Sequence, residues 1–108
     1  MLGSGITFAD YLLTKRLKVN VSAGNIFWPD YVFSSDYQLM PLHEVEQFVK
    51  ENRHLPEVPS EKELKENGLD VVEMDALLLK KIEELTLYVI ELEKQINGLK
   101  TEMKKGEE

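Results

Sequence analysis

The 108-residue chain contains no cysteine, which excludes disulfide bonds, thiolate metal sites and a cysteine nucleophile. Positive charge is also scarce: 13 Lys and Arg residues stand against 20 Asp and Glu residues, and the net charge is -7. That balance argues against binding to nucleic acid or to anionic membrane surfaces. No apolar run reaches the roughly 18 residues that a membrane-spanning helix needs. We therefore expect no nucleic-acid partner and no membrane insertion.

Recognisable catalytic motifs are also missing. The sequence has no glycine-rich phosphate loop after a strand, no HExxH motif and no GxSxG motif. Its two histidines, His43 and His54, are not placed at a metal-ligand spacing. Ser34-Ser35-Asp36 is the only candidate for a nucleophile, and such a run more commonly marks a turn or a helix start. The sequence therefore predicts no enzyme activity, no cofactor and no metal site.

The most regular feature that is present is a heptad repeat over Leu78–Met103. Apolar residues occupy its a positions, Ile82, Val89, Ile96 and Met103, and its d positions, Leu78, Leu85, Leu92 and Leu99. Such a repeat places an apolar seam along one side of a helix, and the seam is buried only if a second helix lies along it. We therefore expect the chain to form a homo-oligomer through this seam.

The number of chains in the oligomer stays open from the seam alone. Ile and Val at a, combined with Leu at d, favour a dimer. The first half of the helix, however, has further apolar residues outside the seam: Met74, Leu77, Leu79, Leu87, Tyr88 and Ile90. Either helices of more than two chains cover these residues, or the N-terminal part of the chain folds back on them. We expect both, in a homotrimer, with a dimer as the alternative.

Capping and breaking signals predict three helices. Pro41 suits the first position of an amphipathic helix over residues 41–52. A capping box of Ser60 and Glu63 starts a short helix that stops at Asn67-Gly68. A second box at Asp70 starts the long helix, expected to run over Val71–Met103.

The N-terminal part is predicted to contain β-strands. Leu17, Val19 and Val21 alternate with polar residues, Ser22–Asn25 is a turn signal, and Ile26–Trp28 is apolar again. A strand at Ile6–Ala9 is a weaker prediction. The expected fold class is α+β: short N-terminal strands or a hairpin, two short helices, and a long C-terminal helix in a parallel homotrimeric coiled coil. We expect residues 1–15 to be the edge of an upstream segment, residues 16–70 a small head domain, and residues 71–105 the coiled-coil helix.

Aromatic residues are dense just before the first helix, at Trp28, Tyr31, Phe33 and Tyr37. In a small domain such rings usually form the core or the wall against a neighbouring subunit. We expect them to provide the packing of the head domain. The alternative is a platform on which sugar rings stack.

Three stretches together resemble a known kind of module. They are WPDYVFSSDYQLMPL (28–42), EVEQFVKENRHLP (44–56, with Pro59-Ser60 after it) and MDALLLKKIEELTLY (74–88). They look like the C-terminal module of many bacterial secreted and phage-type tail-fibre proteins, and the resemblance covers about residues 16–97. It implies a trimerisation or folding module, attached to an upstream fibre domain of the same polypeptide, on a cell surface or a phage-like particle.

That module is similar in layout to the intramolecular chaperone domain of phage tail spikes and endosialidases. Those domains trimerise a β-fibre, and many cleave themselves off through a serine at the start of the domain. In that family basic residues follow the Ser-Asp pair, whereas here Tyr37-Gln38 follow Ser35-Asp36. The resemblance therefore implies an assembly module that does not cleave itself. The alternatives are a fibre tip that binds a glycan or receptor, and a self-cleaving chaperone.

Overall fold

The computed structural model describes residues 10–21 and 28–107, and within these ranges the protein is helical. A short 3-10 helix (Pro29–Phe33) is followed by α1 (Leu42–Asn52), α2 (Glu61–Asn67) and α3 (Val71–Glu107). The segments from the 3-10 helix to α2 lie along the first half of α3. They form the head.

The predicted α+β fold class is wrong in its β part, since residues 10–21 and 28–107 contain no strand. Leu17, Val19 and Val21 alternate as expected, but all three are exposed. Alternation indicates an extended segment with two faces, yet a strand also needs a neighbour to accept and donate its backbone hydrogen bonds. Within the described ranges this segment is not assigned to a β-ladder. The predicted turn Ser22–Asn25, the run Ile26-Phe27 and the weaker strand Ile6–Ala9 fall outside these ranges.

Helix α1 begins one residue later than predicted because Pro41 caps it instead of joining it. The Pro41 carbonyl accepts hydrogen bonds from the N–H groups of Glu44 (2.9 Å) and Val45 (3.1 Å). At the other end Arg53 adopts a left-handed conformation with φ 63°. Its N–H still donates to the Val49 carbonyl (2.8 Å), which closes the last turn.

The predicted capping box of α2 is complete, and the Asp70 half of the box predicted for α3 is present. The Ser60 hydroxyl accepts from the Glu63 N–H (3.2 Å), and the Glu63 carboxylate accepts from the Ser60 N–H (3.5 Å), so the capping box of α2 is complete. The Asp70 carboxylate accepts from the Glu73 N–H (3.0 Å) at the start of α3. Helix α3 then continues for 37 residues, past the expected end at Met103.

The 3-10 helix provides the main packing between the head and α3. Its inward residues are Pro29 and Val32, which are both fully buried, and Ala76 is buried on α3. Residues three apart line up on one face of a 3-10 helix, so Pro29 and Val32 point the same way. Among the described residues, Val32 and Ala76 are the buried hydrophobic side chains besides Pro29, so a single chain has a small core.

Candidate functional site

The heptad seam of α3 lies on the surface of the single chain. All of its a and d residues from Leu78 to Met103 are exposed, by 45% at Leu92 to 68% at Met103. They form one continuous apolar strip on one side of the helix. Exposed apolar patches of this extent mark interaction sites on soluble proteins.

The other apolar residues of α3 are better covered. Met74, Leu77, Leu79, Leu87 and Tyr88 are half-buried, and only Ile90 of this group is exposed. The head reaches four of them from two places: Pro59 and Leu64 lie beside Met74 and Leu77, and residues 39–42 lie beside Leu87 and Tyr88. The width of the apolar band therefore does not by itself require a third helix.

Two tyrosines fix the segment before α1 along α3. The Tyr37 hydroxyl donates to the Glu84 carboxylate (2.6 Å), and the Tyr88 hydroxyl donates to the Met40 carbonyl (2.5 Å). Burial and the nearby Glu84 carboxylate raise the pKa of both tyrosines above its ordinary value. Both hydroxyls therefore remain protonated donors at neutral pH.

A cluster of charges joins the turn before α2 to α3. The Glu57 carboxylate contacts the ammonium groups of Lys80 (2.6 Å) and Lys81 (3.2 Å), and Lys81 also contacts Glu84 (3.1 Å). We call these four residues the Glu57 cluster. The Lys80 ammonium in addition lies 5.6 Å from the centre of the Tyr31 ring, within the range of a cation–π interaction.

The pKa values of Glu57 and Lys80 shift as expected of an ion pair. Partial burial acts to raise the pKa of Glu57, but the two ammonium groups outweigh it and the pKa lies below its ordinary value. Burial acts to lower the pKa of Lys80, but Glu57 outweighs it and the pKa lies above its ordinary value. Each shift favours the charged form, so the Glu57–Lys80 pair stays ionised at neutral pH.

Local backbone geometry aims Glu57 at α3. The Val58 N–H donates to the Leu55 carbonyl (3.1 Å), so residues 55–58 form a turn with Pro56 at its second position. Glu57 occupies the third position with φ 71°, the left-handed conformation that a type II turn requires there. A non-glycine residue in this conformation is strained, and the two lysine contacts help to hold it.

One buried carboxylate on α3 is incompletely satisfied. Glu83 is only 7% exposed, and its Oε2 atom has no hydrogen-bond partner within the described ranges. Buried carboxylate oxygens are normally hydrogen-bonded. Glu83 lies at a b position and is therefore not part of the seam.

The four aromatic residues predicted to pack the head occupy different environments. Trp28, Tyr31 and Phe33 are exposed, whereas Tyr37 is half-buried, and its ring centre lies 6.0 Å from that of Tyr31. The fully buried residues of this segment are Pro29 and Val32, which the sequence reasoning missed. The three-residue spacing of this pair within a short helix could have indicated them.

A cleft of about 210 Å³ separates the head from the seam. It lies between α1, the turn at Leu55 and the g side of α3. Its apolar lining consists of Met40, Leu42, Val45, Leu55, Leu85 and Tyr88, and its polar rim includes Tyr37, Glu57, Lys81 and Glu84. Leu85, a d residue of the seam, therefore also forms one edge of this cleft.

The described residues offer little that could perform chemistry. No group of three or more His, Asp or Glu side chains within them could hold a metal ion. The candidate nucleophile segment is an exposed turn, in which the Ser34 hydroxyl donates to the Asp36 carboxylate (2.5 Å) and the Tyr37 N–H donates to the Ser34 carbonyl (3.1 Å). In the ranges that the structure describes, no helix is both long enough and apolar enough to span a bilayer.

Comparisons with protein-family models, with curated proteins and with solved structures give no significant match for this chain. The likeness to tail-fibre modules therefore stays a prediction from three sequence stretches. The geometry itself defines a long helix that carries a folded head on one side and an exposed heptad seam on the other.

Proposed function

We propose that this chain is a non-catalytic assembly module. Its copies join through the seam of α3 into a parallel homotrimeric coiled coil, and this brings the fibrous chains that carry the module into register. The observation that supports the proposal is the contrast between the two sides of α3. The head covers most apolar residues outside the seam, whereas every a and d residue from Leu78 to Met103 is exposed.

Burial of the seam would contribute enough free energy to hold the chains together. Burying the exposed half of a Leu, Ile or Val side chain stabilises by about 1 kcal/mol. Along the seam these contributions add up to several kcal/mol per chain, which can offset the entropy lost on association. Joined chains also meet at high effective concentration, so later contacts between fibre segments no longer depend on diffusion.

The trimer rests on the resemblance to tail-fibre modules, and a dimer is the second candidate. Two observations favour the dimer. Ile and Val at a with Leu at d are typical of two-stranded coils, and the head already covers much of the wide apolar band. The parallel arrangement follows from the proposed role, because the chains of one fibre must all lead into their modules from the same end of the coil.

A glycan-binding fibre tip is a second candidate function, favoured by the exposure of Trp28, Tyr31 and Phe33. Three accessible rings within six residues could stack on sugars. Glycan-array binding that is lost in Tyr31→Ala, while the mass in solution stays unchanged, would support this function. Binding that survives this substitution would count against the platform.

The mass in solution tests the assembly proposal. Light scattering after size exclusion should give three times the chain mass of 12.5 kDa. The double substitution Leu85→Asp with Val89→Asp should yield monomers, because it places charge in the middle of the seam. Lys94→Asp is the matched control: it changes the net charge by the same amount at an exposed f position and should leave the oligomer intact. A monomeric parent chain, or an intact oligomer in the double variant, would contradict the proposal.

A further inference from the structure

The cleft beside Leu85 shares a residue with the seam, and this limits what can cover it. Leu85 is a d residue that is 59% exposed in the single chain, and it also lines the cleft. A helix that packs on Leu85 in a coiled coil must pass along the mouth of the cleft. This inference rests on the proposed function, since it takes the second helix to be another copy of this chain.

Helix α1 presents an apolar face to the same place. Leu42 and Val45 line the cleft, and Leu42 is 45% exposed. Leu55, just after α1, also lines the cleft and is equally exposed. Within the chain, the packing of α3 is mainly with the 3-10 helix, so this face of α1 has little cover. An amphipathic helix normally buries its apolar face.

The heptad register identifies the part of a second copy that would face the cleft. Lys81 and Tyr88, which line the cleft on α3, are both g residues. In a parallel coil the g side of one helix faces the e side of its neighbour. At this height the e residue is Thr86, which is exposed in the single chain.

Most polar side chains around the cleft already have partners, so a second copy can cover it at little cost. The Thr86 hydroxyl already donates to the Ile82 carbonyl of its own helix (2.9 Å), so the side chain can be buried without a new hydrogen bond. The rim of the cleft is satisfied by its own contacts, from Tyr37 to Glu84 and from Lys81 to both Glu84 and Glu57. Gln38 also lines the cleft, and it is exposed in the single chain. The rest of the lining is apolar and gains from losing water.

We propose that the head of each protomer packs across the interface, with Leu42 and Leu55 lying against α3 of a neighbouring copy at the partner's Thr86. Each cleft is then closed by a second copy and is incomplete without it. The arrangement requires only adjacent parallel helices, so it applies to a dimer as well as a trimer. In this arrangement the heads contribute to the interface between protomers, together with the seam of α3.

Single cysteines in a cysteine-free chain test this contact directly. Leu55→Cys and Thr86→Cys are made in separate chains with different tags, mixed in denaturant, refolded together and treated with a short bismaleimide. A linked species with the mass of two chains and both tags is expected. Leu42→Cys mixed with Thr86→Cys should give the same product. Gln47→Cys, on the opposite face of α1, should give none with Thr86→Cys and serves as the control.

The outcomes separate this inference from the proposed function. An oligomer of unchanged mass in which neither Leu42→Cys nor Leu55→Cys links to Thr86→Cys would overturn the cross-interface packing but leave the assembly proposal standing. Equal linking by the Gln47→Cys control would also overturn it, because the contact would then be non-specific. A monomeric mass for the parent chain would overturn both.

Discussion

At the scale of single residues, the attachment of the head depends on a few polar contacts between residues far apart in sequence. Tyr37 and Glu84 are 47 residues apart, yet their hydrogen bond is partly buried and short at 2.6 Å. Hydrogen bonds to charged acceptors contribute more than neutral ones when water is kept away. This contact should therefore be one of the main interactions that hold the head against α3.

The substitution Tyr37→Phe should lower the free energy of unfolding by about 1–2 kcal/mol, because it removes the donor and keeps the ring. Urea unfolding at a fixed protein concentration measures the change. Tyr31→Phe is the matched control: the Tyr31 ring is exposed, and its hydroxyl makes no hydrogen bond within the described residues, so little change is expected. Equal changes in the free energy of unfolding for the two substitutions would show that the Tyr37 hydroxyl does not hold the head against α3.

Sequence reasoning found the residue-scale contacts that are local and missed those that are not. The Ser60 and Glu63 capping box could be predicted because its two partners lie three residues apart and helix geometry fixes their approach. The contact of Glu57 with Lys80 could not, because it depends on how the turn at residues 55–58 lies against α3. From the sequence alone, charged side chains of this kind are expected on solvated helix faces, because only the tertiary structure brings them together.

At the scale of elements, substitution by alanine should change the stability of the protein in opposite directions at two glycines, both of which have open surroundings. Gly68 follows α2 with φ 78° and ψ 175°, whereas Gly98 lies inside α3 with helical geometry. A Cβ atom at either position would meet nothing within 4 Å. Any difference between them must therefore come from the backbone and not from crowding.

Gly68→Ala should lower the free energy of unfolding by about 1–3 kcal/mol, because non-glycine residues rarely adopt the positive φ of this position. Gly98→Ala should stabilise by about 0.5–1 kcal/mol, because alanine favours the helix and loses less entropy on folding. Thermal unfolding of both variants at one protein concentration compares them. A neutral or stabilising Gly68→Ala would mean that the link between α2 and α3 can relax into another turn.

Secondary-structure elements could be predicted where they depend on neighbours in sequence, and could not where they depend on distant partners. The three helix ranges were close to the observed ones because caps and breakers act within a turn or two of the helix ends. The strand at Leu17–Val21 was wrong because period-two alternation says nothing about a pairing partner. The exposure of the seam follows from the heptad pattern, but the side of α3 that the head covers depends on Pro29 and Val32, which carry no heptad signal.

At the scale of the whole molecule, the small core of one chain ties folding to assembly. Within the described residues the fully buried side chains are Val32 and Pro29, while the long apolar seam of α3 faces solvent. Domains with so little buried apolar area are marginal alone and are commonly stabilised by oligomerisation. The stability of this chain should therefore depend on its own concentration.

The thermal midpoint is expected to rise with protein concentration. Each tenfold increase stabilises a trimer by about 1 kcal/mol per chain through mass action, and for a domain of this size 1 kcal/mol corresponds to roughly 4–8 °C. Circular dichroism melts over a hundredfold concentration range measure the slope. The variant with Leu85→Asp and Val89→Asp should melt lower and at one temperature throughout, because unfolding of a monomer does not depend on concentration. A parent chain whose midpoint is equally constant would mean that the head and α3 fold as a self-sufficient monomer, and that the exposed seam is not the source of stability.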